Sequence, residues 1–306
     1  MKLFFAPLQG YTDCLYRRIH HDTTGGVDAY FTPFVRYDNG VIRNRDVRDL
    51  LPDRNVGVPV VPQVIASDAS ELDPLLDWLQ HLGYERVDLN MGCPFPLQTG
   101  RGRGAALLQR ISSVAAMMSL LASRKEMRVS VKMRCGMSDI AEGVDVAEML
   151  NDFPVEMVTV HARLGVQQYK GTVNEEAFQM MMDVLHHPVV FNGDIVSVDD
   201  ITRVVSHWPG LYGVMVGRGL LARPTLALEW RQGVSLSPAE VLDIALHMHD
   251  RLFDDACRLL NDDNQVLARM RAFWEYQKPL VDKKVYKRLM KTTSLRNYAA
   301  AVRTLS

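Results

Sequence analysis

The amino-acid sequence predicts a (β/α)₈ barrel followed by an all-helical C-terminal region. Eight short β-branched or aromatic runs recur along the chain, and most lack the alternation of apolar and polar residues, as strands buried on both faces do. Segments whose apolar residues fall at helical spacing separate these runs. Eight strand-then-helix units within about 230 residues match the roughly 250 residues of such barrels. A doubly wound parallel sheet is the alternative, but it normally contains fewer strands.

The predicted strands follow one another at intervals long enough for a helix between them. They begin near residues 2, 29, 59, 86, 129, 157, 188 and 213, with the sequences KLFFAPL, AYFTPFV, PVVPQVI, RVDLNMG, VSVKMR, MVTVHA, PVVFNGD and GVMVGRG. The segments DASELDPLLDWLQHLG and SSVAAMMSLLASR are examples of the amphipathic stretches that we predict as outer helices.

The helical region begins after the eighth strand. In the segment SLSPAEVL, Ser237 is suited to cap a helix, Pro238 to occupy its first position and Glu240 to complete a capping box. From there to the end the pattern is helical. We therefore predict two domains, a barrel of residues 1–235 and a helical domain of residues 236–306.

Composition limits the possible functions. The chain has 306 residues, and none of its apolar runs approaches the ~18 residues of a membrane helix. The N-terminal apolar stretch is shorter than the ~7–15 residues of a signal-peptide core, so we expect a cytoplasmic protein. The four cysteines, Cys14, Cys93, Cys135 and Cys257, form no C-x-x-C pair and have no histidine at ligand spacing. Neither a metal site nor a disulfide framework is predicted.

The charge of the chain is unevenly distributed. The net charge is −1, but residues 264–306 contain ten Lys or Arg against two acidic residues, which gives +8 there and −9 elsewhere. Such segregation indicates a docking face for a polyanion. A solvated helical tail explains the same charge pattern equally well.

Polar residues stand at the carboxyl ends of seven predicted strands, which is where barrel active sites form. They are Gln9 after the first strand, Gln63 in the third, Asn90 and Cys93 after the fourth, Lys132 and Arg134 in the fifth, His161 and Arg163 after the sixth, Asn192–Asp194 after the seventh and Gly217–Arg218 after the eighth. One such residue carries little information because loops are polar in any case. Seven strand ends of this kind indicate a site.

The last two strand ends predict a phosphate site. The glycines in the motifs NGD and GRG allow backbone N–H groups to close on an anion, which is common after the seventh and eighth strands of barrels. Arg218 adds charged donors. Ordinary turn chemistry explains either motif alone, whereas the pair favours a phosphorylated cofactor.

The remaining polar residues suit a flat ring with polar edges. Lys132 and His161 lie on adjacent strands and can donate hydrogen bonds to the electron-rich edge of a ring. Gln9 and Gln63 can bind its amide edge. Flavin mononucleotide, FMN, combines a phosphate, a polyol and such a ring. A sugar phosphate fits less well because it leaves the glutamines without a role.

These motifs together resemble the tRNA-dihydrouridine synthase family. The resemblance rests on APLQGYTD, DLNMGCP with GRGAALL, VKMRCG, VHAR with QQYKG, FNGDI, VGRGLLARP and ARMRAFWEYQKPL, and so covers nearly the whole chain. The spacing from NMGCP to GAALL is the most specific feature. The other motifs are shared in part with other FMN barrels.

The resemblance implies both the reaction and the residues that perform it. NADPH reduces the flavin, the flavin passes a hydride to C6 of a tRNA uracil, Cys93 protonates C5, and Asn90 holds the base. The FMN-binding residues implied are Pro7, Leu8, Gln9, Gln63, Lys132, His161, Asn192, Gly193, Asp194, Gly217 and Arg218. The tRNA-contacting residues implied are Arg36, Asn90, Tyr169, Arg269, Arg271 and Lys278.

The segment TPFVRYD is similar to the C-type branch of this family. In that branch an arginine after the second strand contacts RNA, and Arg36 is the matching residue. The branch implies modification of position 16 in the D-loop. The target base must be flipped out of folded tRNA. Phosphate contacts from the basic tail are expected to support this step. We expect the protein to act as a monomer.

The chain also departs from the family pattern. Pro96 stands where a lysine is usual, Pro33 replaces a glutamate, Leu164 and Ala162 replace Thr and Gly, and Ala66 replaces Gly. The substrate site is therefore expected to be unusual. Two alternatives remain open. An FMN barrel acting on a small molecule would not need the basic tail, and a non-catalytic tRNA-binding paralogue would not need the cysteine.

Overall fold

The computed structural model describes residues 1–305 and confirms the parallel barrel with a C-terminal helical region. Its strands are β1 (Lys2–Phe5), β2 (Ala29–Phe31), β3 (Tyr37–Asp38), β4 (Val41–Ile42), β5 (Val60–Val61), β6 (Gln63–Val64), β7 (Arg86–Met91), β8 (Arg128–Arg134), β9 (Met157–His161), β10 (Val189–Asn192) and β11 (Gly213–Val216). Nine of them form one parallel sheet in the order β5-β2-β1-β11-β10-β9-β8-β7-β6, and β3 and β4 form a separate antiparallel hairpin.

The predicted third strand is divided by Pro62. Proline has no backbone N–H, so it interrupts the ladder between β5 and β6. On one side β5 pairs with β2, and on the other β6 pairs with β7. The carbonyl of Pro62 still accepts a hydrogen bond from the backbone N–H of Asp88, at 2.9 Å. The two edges of the sheet are therefore joined through one residue, and the barrel has eight strand positions, as predicted.

Helices follow most of the barrel strands. They are α1 (Cys14–Thr23), α2 (Asn44–Leu50), α3 (Ala69–His81), α4 (Pro96–Thr99), α5 (Ile111–Ser123), α6 (Ala141–Leu150), α7 (Glu175–Val184), α8 (Val198–His207), α9 (Arg218–Ala222), α10 (Leu226–Gln232), α11 (Pro238–Leu259), α12 (Asp263–Glu275), α13 (Lys283–Lys291) and α14 (Leu295–Val302). Short 3₁₀ helices occupy Pro52–Arg54, Gly104–Gln109, Gly165–Gln167 and Lys278–Leu280. No helix within residues 1–305 is both long and apolar enough to cross a membrane.

The inside of the barrel changes from apolar to polar along its axis. One end is filled by a separate cluster of buried apolar side chains, with Phe4 and Phe31 in edge-to-face contact at 5.7 Å between ring centroids. Toward the carboxyl ends of the strands, buried polar side chains such as Asp88 and Asn90 replace them. Their neighbours Val87 and Leu89 on β7 belong to the larger core outside the barrel. The residues of β7 therefore alternate between polar side chains inside the barrel and apolar side chains in the core around it.

The C-terminal helices pack against the barrel through α11 and α1. The predicted start of α11 is confirmed: Ser237 caps the helix, Pro238 is its first residue and the side chain of Glu240 completes the capping box. Salt bridges join this region to α1, with Arg18 2.7 Å from Asp255. The division into two domains at residue 235 stays a prediction.

Candidate active site

Two adjoining cavities open at the carboxyl ends of the barrel strands. The larger has a volume of about 310 Å³ and the smaller about 110 Å³. Both are lined by Pro7, Leu8, Lys132, His161 and Tyr169. A molecule with a ring and a charged group can therefore extend from one cavity into the other.

The structure brings all eleven predicted FMN-binding residues to these cavities. Besides the shared residues, Gln9 and Gln63 line the larger one, and Asn192, Gly193, Asp194, Gly217 and Arg218 line the smaller one. The larger cavity also contains Asn90, Cys93 and Arg36. Of the predicted site residues, Arg269, Arg271 and Lys278 line neither cavity.

Asp88 is a buried residue beneath this site that was not predicted from the sequence. Its carboxylate accepts hydrogen bonds from Ser130 Oγ at 2.6 Å and from Gln63 Nε2 at 2.7 Å. Burial raises the pKa of Asp88 to about 6, and the hydrogen bonds from Ser130 and Gln63 oppose this shift. The carboxylate is therefore still mostly ionised at neutral pH. A charged residue within a buried strand, two positions before Asn90, was the available signal.

Asp88 fixes the orientation of two amides above it. Because Gln63 donates its Nε2 to the carboxylate, its Oε1 points to Asn90 and accepts from Asn90 Nδ2 at 2.7 Å. Asn90 Oδ1 in turn accepts from the backbone N–H groups of Gly92 and Cys93, at 3.0 and 2.9 Å. Both amide oxygens are thus engaged, and each amide nitrogen keeps one N–H. The groups that these two amides can still offer to a ligand are therefore mainly N–H donors.

Lys132 contributes a third donor. Its Nζ donates to Asn192 Oδ1 at 2.9 Å, and Asn192 Nδ2 donates to the Met215 carbonyl at 2.7 Å. Burial lowers the pKa of Lys132 to about 8, with the nearby Arg134 acting in the same direction. This ammonium group has a neutral amide as its hydrogen-bond partner. An electron-rich ligand in the cavity would stabilise its charge.

His161 is neutral and its tautomer is fixed. Arg163 has only donors, so the 3.2 Å contact between its Nη1 and His161 Nε2 requires that nitrogen to accept. Burial, followed by the charge of Lys132, places the pKa of His161 well below its ordinary value. The proton of the neutral ring is therefore on Nδ1. Arg163 also pairs with Asp194, which links the ends of β9 and β10.

The smaller cavity is walled by backbone. A Cβ at Gly193 would lie 2.5 Å from Val173 Cγ1, and one at Gly217 would lie 3.3 Å from the Cβ of Ala6. Gly193 has a φ of +139°, which favours glycine. Arg218 pairs with Asp194 at 3.0 Å, and its guanidinium carbon lies 4.8 Å from the centroid of the Tyr169 ring. The exits of β10 and β11 thus present glycine backbone and one arginine to the same space.

Cys93 lies on a loop that hydrogen bonds from Ala105 and Arg134 hold in place. Its carbonyl accepts from Ala105 N–H at 3.0 Å, and a Cβ at Gly104 would lie only 2.5 Å from that carbonyl oxygen. This close approach explains the spacing from NMGCP to GAALL. Arg134 Nε donates to the Gly92 carbonyl at 2.9 Å. Burial raises the pKa of the Cys93 thiol, so the thiol carries its proton at neutral pH although Arg134 and Lys132 are near.

Cations surround the mouth of the larger cavity. Arg36, Arg43 and Arg45 line it, and Arg36 forms a 2.5 Å salt bridge with Asp38 on the β3–β4 hairpin. Arg36 was predicted from the sequence but the other two arginines were not, although they lie in the arginine-rich segment RNRDVR. Pro33, one of the departures from the family pattern, also lines this cavity.

The predicted tRNA-contacting residues of the tail have different surroundings. Arg269 forms a 2.5 Å salt bridge with Asp13 of the barrel, and Arg271 donates to the carbonyl of Thr292. Lys278 is exposed, with its Nζ 6.0 Å from the Tyr286 ring centroid. Their contact with tRNA stays a prediction. No group of three or more His, Cys, Asp or Glu side chains in residues 1–305 is placed to hold a metal ion.

Comparison with known proteins gives one family. The sequence profile described as dihydrouridine synthase matches residues 4–303. A tRNA-dihydrouridine(16) synthase from Cupriavidus necator is 31% identical over 254 residues, covering 78% of this chain and 76% of that protein. A tRNA-dihydrouridine(16) synthase from Neisseria meningitidis is 26% identical over 291 residues, covering 92% and 87%.

Solved structures with the same architecture are more distant in sequence. Histamine dehydrogenase from Rhizobium sp. 4-9 has a TM-score of 0.55 and 13% identity, over 84% of this chain and 48% of that one. Morphinone reductase has a TM-score of 0.52 and 11% identity, over 77% and 87%. These likenesses support the barrel fold alone. Because the family match spans almost the entire chain, the protein belongs to the dihydrouridine synthase family and is an oxidoreductase, as its motifs predicted.

Proposed function

We propose that this protein is an FMN- and NADPH-dependent tRNA-dihydrouridine synthase that reduces a D-loop uridine at position 16. The observation that carries the proposal is the Cys93 thiol, which burial keeps protonated on a loop over a cavity lined by hydrogen-bond donors. Position 16 is supported by the names of relatives such as the Cupriavidus necator enzyme. The single arginine Arg36 adds support from the sequence.

The cavity residues fit a flavin mononucleotide. The free N–H of Gln63 and the ammonium of Lys132 are donors, which suits the acceptor-rich edge of a flavin ring. Within residues 1–305, the hydrogen-bond partner of the partly buried Lys132 is the neutral amide of Asn192. Backbone at Gly193 and Gly217 would hold the phosphate in the smaller cavity. The space for one phosphate and the absence of an adenine-binding segment in the sequence favour FMN over FAD.

When bound, the flavin would supply the hydride that saturates C6 of the uracil, after its reduction by NADPH. The chain itself supplies orientation and the proton. Cys93 donates its thiol proton to C5, and a general acid must lie within hydrogen-bond reach of its target. Asn90, held by Gln63 and by the backbone of the Cys93 loop, presents an N–H to a uracil carbonyl. Asp88 acts one layer below, as the residue that keeps both amides in this orientation.

Residues 236–306 are proposed to dock the tRNA. We call α13 the basic helix because Lys283, Lys284, Lys287, Arg288 and Lys291 are all exposed on it. None of the five forms a salt bridge within the part of the chain that the structure describes. Exposed, unpaired cations are available to neutralise phosphates. A reductase of small molecules would have no use for this helix.

The test is mass spectrometry of tRNA, position by position, from cells that lack this protein. We expect dihydrouridine to disappear at position 16 and to return when the gene is restored. Return with wild-type protein but not with Cys93→Ala identifies catalysis as the cause. If every dihydrouridine persists, the protein is not the synthase for the tRNAs of those cells. The cytoplasmic location and the monomeric state stay predictions.

A further inference from the structure

An exposed apolar rim borders the larger cavity. It consists of Phe95, Leu97 and Tyr169, whose exposed fractions are 48%, 66% and 41%. All three line the cavity together with Cys93, and the ring centroids of Phe95 and Tyr169 are 6.4 Å apart. A grouping of large apolar side chains in solvent marks an interaction site more often than chance exposure.

The rim is rigid. Phe95 stands between Pro94 and Pro96, whose rings restrict the backbone on both sides. The Phe95 carbonyl accepts from the backbone N–H groups of Gln98 and Thr99, at 2.8 and 3.0 Å, where α4 begins. Ligand binding therefore costs little ordering of this segment.

The loop that carries the rim is also fastened to the barrel. Arg103, near its end, pairs with Glu71 at 2.8 Å and with Asp38 at 2.7 Å. The exposed ring of Phe95 is consequently held in solvent by its backbone and does not fold back into the core.

Positive charge surrounds the rim. Arg36 and Arg45 line the same cavity, and the guanidinium carbons of Arg134 and Arg218 lie 5.7 and 4.8 Å from the Tyr169 ring centroid. A flat apolar surface bordered by arginines is the combination by which proteins bind single-stranded nucleic acid, with bases on the rings and phosphates on the cations. An apolar protein partner would not need this charge.

We propose that Phe95 and Leu97 bind the bases next to the uridine that enters the cavity, Phe95 by stacking on a base and Leu97 by apolar contact. This inference deepens the proposed function and rests on it. A uridine that reaches Cys93 must leave its stack, which exposes the faces of its neighbours. Phe95 lies two residues from Cys93, so its ring is placed to cover such a face. Leu97 extends the same surface.

Stacking and charge differ in their dependence on salt, and this difference provides the test. The affinity of tRNA should be measured over a range of salt concentrations for wild type, Phe95→Ala and Leu97→Ala. We expect Phe95→Ala to weaken binding roughly five- to a hundredfold, because stacking on aromatic side chains is worth that much per base. The slope of log K against log salt should not change, because the substitution removes no cation that displaces a counterion. Phe95→Trp should retain the affinity.

Two controls make the result specific. Val56→Ala removes an apolar side chain that is 76% exposed and lines neither active-site cavity, so tRNA affinity should stay at the wild-type value. Arg45→Gln should weaken binding with a shallower salt slope. A fluorescent base analogue beside the target uridine should be quenched by wild type and Phe95→Trp, and less by Phe95→Ala.

The outcomes separate this inference from the proposed function. If Phe95→Ala and Leu97→Ala bind tRNA as wild type does, or if their salt slope becomes shallower, stacking is refuted even where dihydrouridine still forms. If both variants bind weakly at an unchanged slope and wild type makes no dihydrouridine, the rim is an RNA site and the synthase assignment fails.

Discussion

The barrel cavity and the basic helix both present hydrogen-bond donors to a ligand, but they hold these donors in opposite ways. In the cavity, Gln63, Asn90 and Lys132 are buried or nearly so, and each is bonded to a neighbour that fixes its direction. On α13, five cations stand in solvent without a salt bridge in the described chain. One region is organised before any ligand arrives, and the other relies on the ligand to organise it.

The difference fits what the proposed function requires of each region. Chemistry at C5 and C6 of a uracil requires donors placed to within a fraction of an ångström, and buried groups keep such positions because hydrogen bonds to fixed neighbours hold them. Docking of a phosphate backbone requires only charge, and exposed lysines supply it at little cost in stability. The largest mutational effects are therefore expected in the cavity and the smallest on the helix.

The strongest prediction concerns Cys93. Cys93→Ala should reduce turnover by about 10²–10⁴-fold, because that is the usual contribution of a general acid. Flavin content, tRNA affinity and flavin reduction by NADPH should survive, since none of them uses this proton. Stopped-flow measurement of both half-reactions checks this. Cys257→Ala, which removes an exposed cysteine of α11, is the matched control. Near-normal dihydrouridine formation by Cys93→Ala would assign the proton to another group.

Asp88→Asn should change the pH dependence of stability and should also lower turnover. In the folded protein the pKa of Asp88 is raised to about 6 by burial, so between about pH 4 and pH 6 the folded state binds more protons than the unfolded state. Wild-type stability therefore falls as pH rises through this window, by about 3 kcal/mol from this group alone. The asparagine does not titrate, so the stability of the variant relative to wild type should rise by that amount between about pH 4 and pH 6.

Activity should change in the opposite direction. Asparagine can donate as well as accept, so it no longer forces Gln63 to present its oxygen to Asn90. Turnover should fall while tRNA affinity is retained. Urea unfolding at several pH values, together with turnover, checks both parts. Ser130→Ala keeps the titrating carboxylate but removes a hydrogen bond that lowers its pKa, so the pH dependence should remain and move to higher pH. Equal pH profiles for wild type and Asp88→Asn would contradict the buried ionised carboxylate.

Lys132→Met should weaken flavin binding by roughly 10- to 100-fold, since hydrogen bonds from charged donors contribute about 1.5–3 kcal/mol. Titration of the apoprotein with FMN, followed by flavin fluorescence, measures this. Lys125→Met, at an exposed position, should bind flavin as wild type does. The flavin released from wild type should be FMN. A colourless wild-type protein that takes up no FMN would refute the cofactor proposal.

The basic helix should show the mildest effect. In the triple variant Lys284→Gln, Lys287→Gln, Lys291→Gln the slope of log K for tRNA against log salt should become shallower by about one unit for each phosphate that is no longer neutralised. Flavin content should stay unchanged because the cavity is elsewhere. Lys125→Gln, which removes one exposed positive charge outside α13, is the control and should leave the slope unchanged. A triple variant with wild-type affinity and slope would make the helix a solvated tail.

Arg269 and Arg271 sharpen the same comparison. If they contact RNA, as predicted from the sequence, their double glutamine variant should also have a shallower slope. The salt bridge from Arg269 to Asp13 predicts in addition a loss of thermal stability, which the triple variant of the basic helix should not show. A less stable double variant with an unchanged salt slope would limit these arginines to holding the helical region on the barrel.

The sequence by itself determined the barrel and most of its cavity. Parallel strands end at the same edge, so polar residues at successive strand ends must meet there, and Lys132, His161, Asn192 and Gly217 do. Periodicity and capping are local, which is why the start of α11 was also predictable. Pro33, a departure from the family pattern, was visible in the sequence, but only the structure showed that it lines the larger cavity.

Only the tertiary structure decided which groups are paired. The contact of Asp88 with Gln63 spans 25 residues, and that of Arg269 with Asp13 spans 256. No local pattern specifies such partners, because burial and hydrogen bonding depend on how the strands curve and where the helices rest. For the same reason, the salt bridge of Arg269 with Asp13 and the hydrogen bond of Gln63 to Asp88 were found only in the folded protein.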